Sequence, residues 1–184
     1  MRRSLTGVTE WIALLRGVNV GGITVRSADL AALFTELGLK DVRTVLASGN
    51  VRFEADAAPS RRGPLKASIE KGLADRFGYD AWILLVTRDE LRAAIAGFPF
   101  DASDDGRQPW VVFCVDADTL GELTSAAASL DADVDPVAEG PGVVYWNPAK
   151  GSTTDTAFAK VLAKKTFKSR TTNRNLRTLV KILG

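Results

Sequence analysis

The sequence runs twice through nearly the same succession of apolar patterns, and that repetition constrains the fold more than any single motif. Glu10 to Leu15 is an apolar run of strand length. Ser27 then opens a segment with Leu30, Leu33, Phe34 and Leu37 at helical spacing, closed by Gly38. Val42 to Ala47 and Val51 to Ala55 are β-rich runs joined by Ser48, Gly49 and Asn50, residues that tolerate positive φ in a tight turn. Pro64 opens a second helical segment through Leu65, Ile69, Leu73 and Phe77, closed by Gly78, and Ala81 to Val86 is again strand-like.

The pattern then returns. Thr87 and Glu90 form a capping box for a linking helix ending at Gly97, and the strand Trp110 to Val115 follows. A helix is expected over Asp118 to Leu130, and a hairpin over Val134 to Glu139 and Val143 to Trp146 around Gly140, Pro141 and Gly142. A further helix covers Thr154 to Lys165, Phe167 to Arg170 supplies a last strand, and Thr172 caps a final helix over Asn173 to Leu183. The order β-α-β-β-α-β is that of a ferredoxin-like plait, in which two crossover helices cover one face of a four-stranded antiparallel sheet. The expected fold class is therefore α+β: two ferredoxin-like (α/β plait) subdomains related by structural duplication, residues 1–88 and 89–184, with a C-terminal helical tail. The strand runs do not alternate polar with apolar, so both sheet faces should be covered, by the other half of the chain or by a second copy in a homo-oligomer.

Composition narrows the chemistry. The chain has 184 residues, one cysteine and no histidine, which removes disulfide frameworks, Cys/His zinc sites, Ser-His-Asp and Cys-His catalysis and histidine general bases. Its longest apolar runs are five or six residues, far below the roughly 18 of a membrane helix. Arg2 and Arg3 are followed by no apolar stretch of about 7–15 residues, so no export signal is read and a cytoplasmic chain without a membrane partner is expected.

Charge is distributed unevenly. Residues 1–98 hold 14 Lys/Arg against 11 Asp/Glu, residues 99–149 hold 1 against 10, and residues 150–184 hold 9 against 1. In the basic segment Phe158, Val161 and Leu162 form a packing stripe with Lys160 and Lys164 opposite, and Lys165, Lys168 and Arg170 just beyond. Arg174, Arg177 and Lys181 oppose Leu176, Leu179, Val180 and Leu183 in the same way. Such a surface fits a nucleic-acid or nucleotide phosphate; a solvated face and internal pairing with the acidic segment stand beside that reading.

The connection Arg16 to Gly22 follows a strand and precedes a helix, where free backbone N–H groups can hold a phosphate. It matches neither G-x-x-x-x-G-K-[ST] nor G-x-G-x-x-G, so nothing specific indicates a nucleotide cofactor, and no cofactor is expected. Arg16, just past a buried strand, needs water, an acid or an anionic ligand. Asp131, Asp133 and Asp135 imitate the start of an EF-hand, but Pro136 occupies the obligatory Gly position, and no metal is expected. Cys114 lies in an apolar strand and reads as a small core residue.

Three pieces can now be taken together: A-L-L-R-G-V-N-V-G-G (Ala13 to Gly22), A-S-G-N-V-R-F (Ala47 to Phe53) and T-N-R-N-L-R-T-L (Thr172 to Leu179). They resemble the motifs of the uncharacterised bacterial family called domain of unknown function sixteen ninety-seven. The resemblance implies two ferredoxin-like plaits and names no activity, cofactor or substrate. Leu176 stands where many relatives have Trp, and Gly151 to Ala159 matches only loosely the family's G-x-x-x-S-K-L stretch. By matching position it implies candidate ligand residues Arg16, Gly17, Asn19, Gly21 and Gly22, then Ser48, Gly49 and Asn50, then Thr172, Arg174 and Asn175. Lys164 joins them from the basic segment. The expected function is anion binding, of nucleic acid or of a nucleotide or phosphorylated small molecule, in a cleft lined by Arg16, Asn50 and Arg174. Two alternatives stand beside it: an enzyme acting on a phosphorylated small molecule, with Asp29, Asp155 or a lysine as base, and a protein-interaction module.

Overall fold

The structure, a computed structural model, describes residues 7–17, 24–46, 49–78 and 80–184. It divides into two compact units, Met1–Asp89 and Glu90–Gly184.

The first unit comprises β1 (Thr9–Arg16), α1 (Ser27–Glu36), β2 (Lys40–Thr44), β3 (Asn50–Ala55), a 3-10 turn at Pro59–Arg61, α2 (Arg62–Phe77) and β4 (Trp82–Thr87). Its sheet has the order β2-β3-β1-β4, with every neighbouring pair antiparallel. Alternate residues Trp11, Ala13 and Leu15 of β1 and Ile83 and Leu85 of β4 join Leu30, Leu33 and Phe34 of α1 and Ile69 and Leu73 of α2 in one core. The intervening Ile12, Leu14, Leu84 and Val86 are buried as well, so β1 and β4 are covered on both faces, as unbroken apolar runs require. Ser27, expected as the cap, is instead the first residue of α1: Arg26 is the N-cap, with no side-chain cap bond, and its guanidinium pairs with Asp29 at 2.8 Å. Strand β2 ends at Thr44 and is bulged between Lys40 and Arg43, so it begins and ends sooner than the run Val42 to Ala47 suggested.

Helix α3 (Arg88–Ala96) follows β4 without a break. The remaining elements are β5 (Trp110–Cys114), α4 (Ala117–Ala127), β6 (Val137–Gly140), β7 (Val143–Trp146), α5 (Ala157–Ala163), α6 (Lys165–Lys168), β8 (Thr171–Asn175) and α7 (Leu176–Leu183). The second sheet has the order β6-β7-β5-β8, again wholly antiparallel. Each sheet thus places its own strands in the order second, third, first, fourth. The fold is mixed α+β with two four-stranded antiparallel sheets, each with helices, consistent with a duplicated α/β fold.

Val112, Leu123, Val144, Trp146, Phe158 and Phe167 form a core of the second unit. Buried Asp135 organises it: one carboxylate oxygen accepts the Trp146 indole N–H at 2.9 Å and the other accepts the Phe158 backbone N–H at 3.0 Å. One acid therefore satisfies a core tryptophan and a free donor in the first turn of α5. Tyr145 donates its hydroxyl to Ala94 O at 2.8 Å, and its ring comes so close to Gly140 that a Cβ there would stand 2.4 Å from it. Gly140 is fixed by that approach rather than by turn geometry.

The second unit corrects three expectations. Phe167 to Arg170 is not the last strand: Phe167 is buried within α6, where its carbonyl accepts the Thr171 hydroxyl at 2.9 Å. The strand is β8, which pairs along β5 from Trp110↔Asn175 to Cys114↔Thr171. Thr172 is consequently a strand residue rather than a helix cap, and Arg174 is not in a first helical turn. Asn175 caps α7, its Oδ1 accepting the Arg177 N–H at 3.0 Å. The helix expected over Thr154 to Lys165 starts after a Thr156 cap and breaks at Lys164, whose extended ψ of 141° separates α5 from α6. No helix among the described residues is long and apolar enough to cross a membrane.

Candidate functional site

Two motifs meet at one end of the first sheet. Strands β1 and β3 run antiparallel with Leu14 opposite Asn50, so the chain leaves β1 through Arg16 beside the point where it enters β3. The Leu15 N–H donates to Gly49 O at 2.8 Å, and the Val45 N–H donates to Asn50 O at 2.9 Å. Asn50, 1% exposed, closes the hairpin with its side chain, Nδ2 donating to Val45 O at 3.0 Å. Its amide is thereby spent on holding the turn. Among the described residues of the turn, positive φ falls on Leu46 (58°) and Gly49 (73°), whereas Asn50 is already the first residue of β3. Leu46, exposed and left-handed without being glycine, is a residue that the turn pattern did not point to.

Arg16 ends β1 half-buried, opposite Trp82 of β4. Burial holds its guanidinium pKa below the ordinary arginine value, because low local polarity disfavours the charged form. Gly17 follows with φ 78°, a conformation side-chain-bearing residues rarely adopt, and among the described residues nothing lies within 4 Å of where a Cβ would stand. Asn19, Gly21, Gly22 and Ser48 lie outside the described residues.

The other end of β1 carries an ion cluster that no motif signalled. Glu10 accepts from Arg88 Nη1 at 2.9 Å and pairs with Arg52 of β3, all three side chains being about one-third exposed or less. Arg62 lies over the Trp11 ring, 5.5 Å from its centre. A cavity of about 390 Å³ beside this cluster is lined by Thr9, Glu10, Pro59, Thr87, Arg88 and Asp89. The alternating positions of Glu10 and Arg52 on facing strands were the only available sign of this pairing.

In the second unit Thr172, Arg174 and Asn175 sit together on β8. Arg174 Nη1 donates to Thr172 Oγ1 at 2.8 Å and to Asn173 O at 3.0 Å, while Asn175 caps α7. Part of the acidic segment pairs with the basic one: Arg170 reaches Glu122 at 2.9 Å and Asp116 at 3.7 Å, and Arg177 stands 3.6 Å from Asp105. Lys160, Lys164, Lys165 and Lys168 are exposed and make no ion pair among the described residues. Among those residues no group of His, Cys, Asp and Glu is arranged to hold a metal. The Cys114 thiol is pushed up to about 12, first by burial and then by Asp116.

A family model described as "Protein of unknown function (DUF1697)" matches residues 8–145. Among solved structures, that of conserved bacterial protein SP0830 from Streptococcus pneumoniae is similar to this chain with a TM-score of 0.80 and 26% identity, over 96% of this chain and 98% of that one. No curated protein matches.

Proposed function

The chain belongs to the DUF1697 family, and from that premise we propose that it binds a phosphate-bearing ligand, a nucleotide or phosphorylated small molecule, at the Arg16–Gly17 end of its first sheet. We read each unit as a ferredoxin-like plait, a reading supported by the shared strand order and the succession of strands and helices.

The observation that carries the proposal is the half-buried Arg16 guanidinium beside the open, left-handed Gly17. A cation that has given up part of its hydration gains more from an anion than one in bulk water, because the lower local dielectric strengthens the attraction. Gly17 adds a backbone that carries no side chain of its own in the way of a ligand oxygen. The clamp between Leu15, Gly49 and Asn50 holds the strand end from which both residues project. Binding is favoured over catalysis because Asp29, one carboxylate weighed as a base, is engaged by Arg26 at the exposed start of α1.

The test is calorimetric titration with inorganic phosphate and with nucleoside mono-, di- and triphosphates, on the wild-type chain and on Arg16→Gln. The reading expects saturable binding that falls about tenfold or more in Arg16→Gln, with an unchanged melting temperature. No binding by any of these ligands, or equal binding by the variant, overturns it.

A further inference from the structure

We infer that α5 and α6 of the second unit form a docking ridge for the phosphate backbone of a nucleic-acid duplex, through Lys160, Lys164, Lys165 and Lys168. This inference concerns a different surface from Arg16 and does not depend on the phosphate-ligand reading.

The ridge is rigidly mounted. Phe158 and Val161 of α5 and Phe167 of α6 are buried in the core, Asp135 holds the Phe158 N–H, and the Thr171 hydroxyl bonds to Phe167 O. Each helix therefore turns its lysines outward: Lys160, Lys164, Lys165 and Lys168 are all exposed. Lys160 lies on α5, Lys165 and Lys168 are three residues apart on α6, a spacing that makes them neighbours on a helical surface, and Lys164 stands at the break between the two helices. The three arginines of the segment are engaged otherwise: Arg170 by Glu122 and Asp116, Arg177 by Asp105, and Arg174 by Thr172 and the β8 backbone. The only acid in residues 150–184 is Asp155, ahead of α5. Four ammonium groups thus share a short stretch of surface, and none of them has an ion-pair partner among the described residues.

The chemistry selects the partner. A membrane-binding helix needs apolar side chains that can insert between lipids, but the large apolar residues of α5 and α6 face the core. A protein partner is disfavoured because lysine is depleted from the desolvated centre of protein interfaces. Single strands are held by aromatic platforms, and Phe158 and Phe167 are both buried. What is left is a regular array of phosphates contacted by point charges without base recognition, which is how duplexes are bound non-specifically.

The experiment follows a fluorescent 24-base-pair DNA duplex and its RNA counterpart by anisotropy, with the full chain at salt from about 50 to about 200 mM. Four lysine–phosphate contacts predict a roughly 100-fold loss of affinity over that range. Replacing all four lysines by Gln should weaken binding at low salt about tenfold or more while the circular dichroism spectrum and melting temperature stay as in the wild type. Two pairwise variants, at 160/164 and at 165/168, should each lose part of that affinity, so the test does not rest on one multiply substituted protein. Arg16→Gln should bind the duplex as the wild type does, which separates this ridge from the Arg16 site. The inference is overturned if the wild-type chain binds neither duplex, if the lysine variants bind equally well, if Arg16→Gln alone abolishes binding, or if vesicles containing about one-third phosphatidylserine are bound while the duplexes are not.

Discussion

The N–H of Leu15 donates to the carbonyl of Gly49 at 2.8 Å, and this bond ties the exit of β1 to the entry of β3. Two motifs distant in sequence thereby become neighbours at one sheet end. Arg16 and Gly17 project from an anchored strand, so a ligand there would meet a preformed surface.

Asn50 maintains that end. Asn50→Ala removes the donor to Val45 O and should lower stability by about 1–3 kcal/mol, the usual penalty when a partly buried carbonyl loses its partner. Urea unfolding of the variant checks this. An unchanged midpoint would mean that the hairpin does not depend on the amide.

Glu10 joins β1 to β3 and to the first residue of α3 through Arg52 and Arg88. Glu10→Ala should cost about 1–3 kcal/mol, because two partly buried guanidinium groups lose a common acceptor. The double variant Glu10→Ala/Arg88→Ala should cost less than the sum of the single changes, which a double-mutant cycle in urea measures. Additive costs would show that the pair does not couple.

The sequence disclosed the elements that have one job and concealed those that have two. Continuous apolar runs located β1, β4 and β5, and helical spacing located α1 and α2. Strand β8 escaped because Thr171 to Asn175 is entirely polar; its place at the sheet edge comes from pairing with β5, and its last residue also caps α7. Phe167 misled in the opposite direction, since one aromatic among lysines suits a strand or a helix equally until the core claims it. Within the first unit, the β1–β3 register sets the end of β1 at Arg16 beside the Gly49–Asn50 turn. The structural duties of Asn50, Arg174 and Asn175 could not be read in advance, because a hydrogen bond to the chain's own backbone leaves no compositional trace.

Asp116 predicts an acid dependence. Its carboxylate accepts the Thr119 hydroxyl and backbone N–H, which hold its pKa below the ordinary carboxylate value, with Arg170 adding to the effect. A depressed folded-state pKa stabilises fully above the unfolded value and progressively less as pH falls through the folded one. Melting temperature should therefore fall as pH drops below about 4, and less steeply in Asp116→Asn, which keeps a capping oxygen but does not titrate. Parallel pH profiles for the two proteins would contradict this.

Cys114 should be inert in the folded chain. With its pKa pushed up to about 12, almost none of it is thiolate at pH 8, and its side chain is partly buried against the core. Alkylation by iodoacetamide, followed by mass spectrometry, should be far slower in native buffer than in denaturant. Equal rates would place the thiol in solvent.

An anion site at the end of β1 is open to titration of inorganic phosphate and then a nucleoside diphosphate into 15N-labelled protein, with the backbone amide shifts followed. Saturable changes should concentrate at Gly17, Gly49 and Asn50 and be lost in Arg16→Gln, with the rest of the spectrum preserved. Changes confined to other residues, or identical changes in Arg16→Gln, would contradict an anion site at the end of β1.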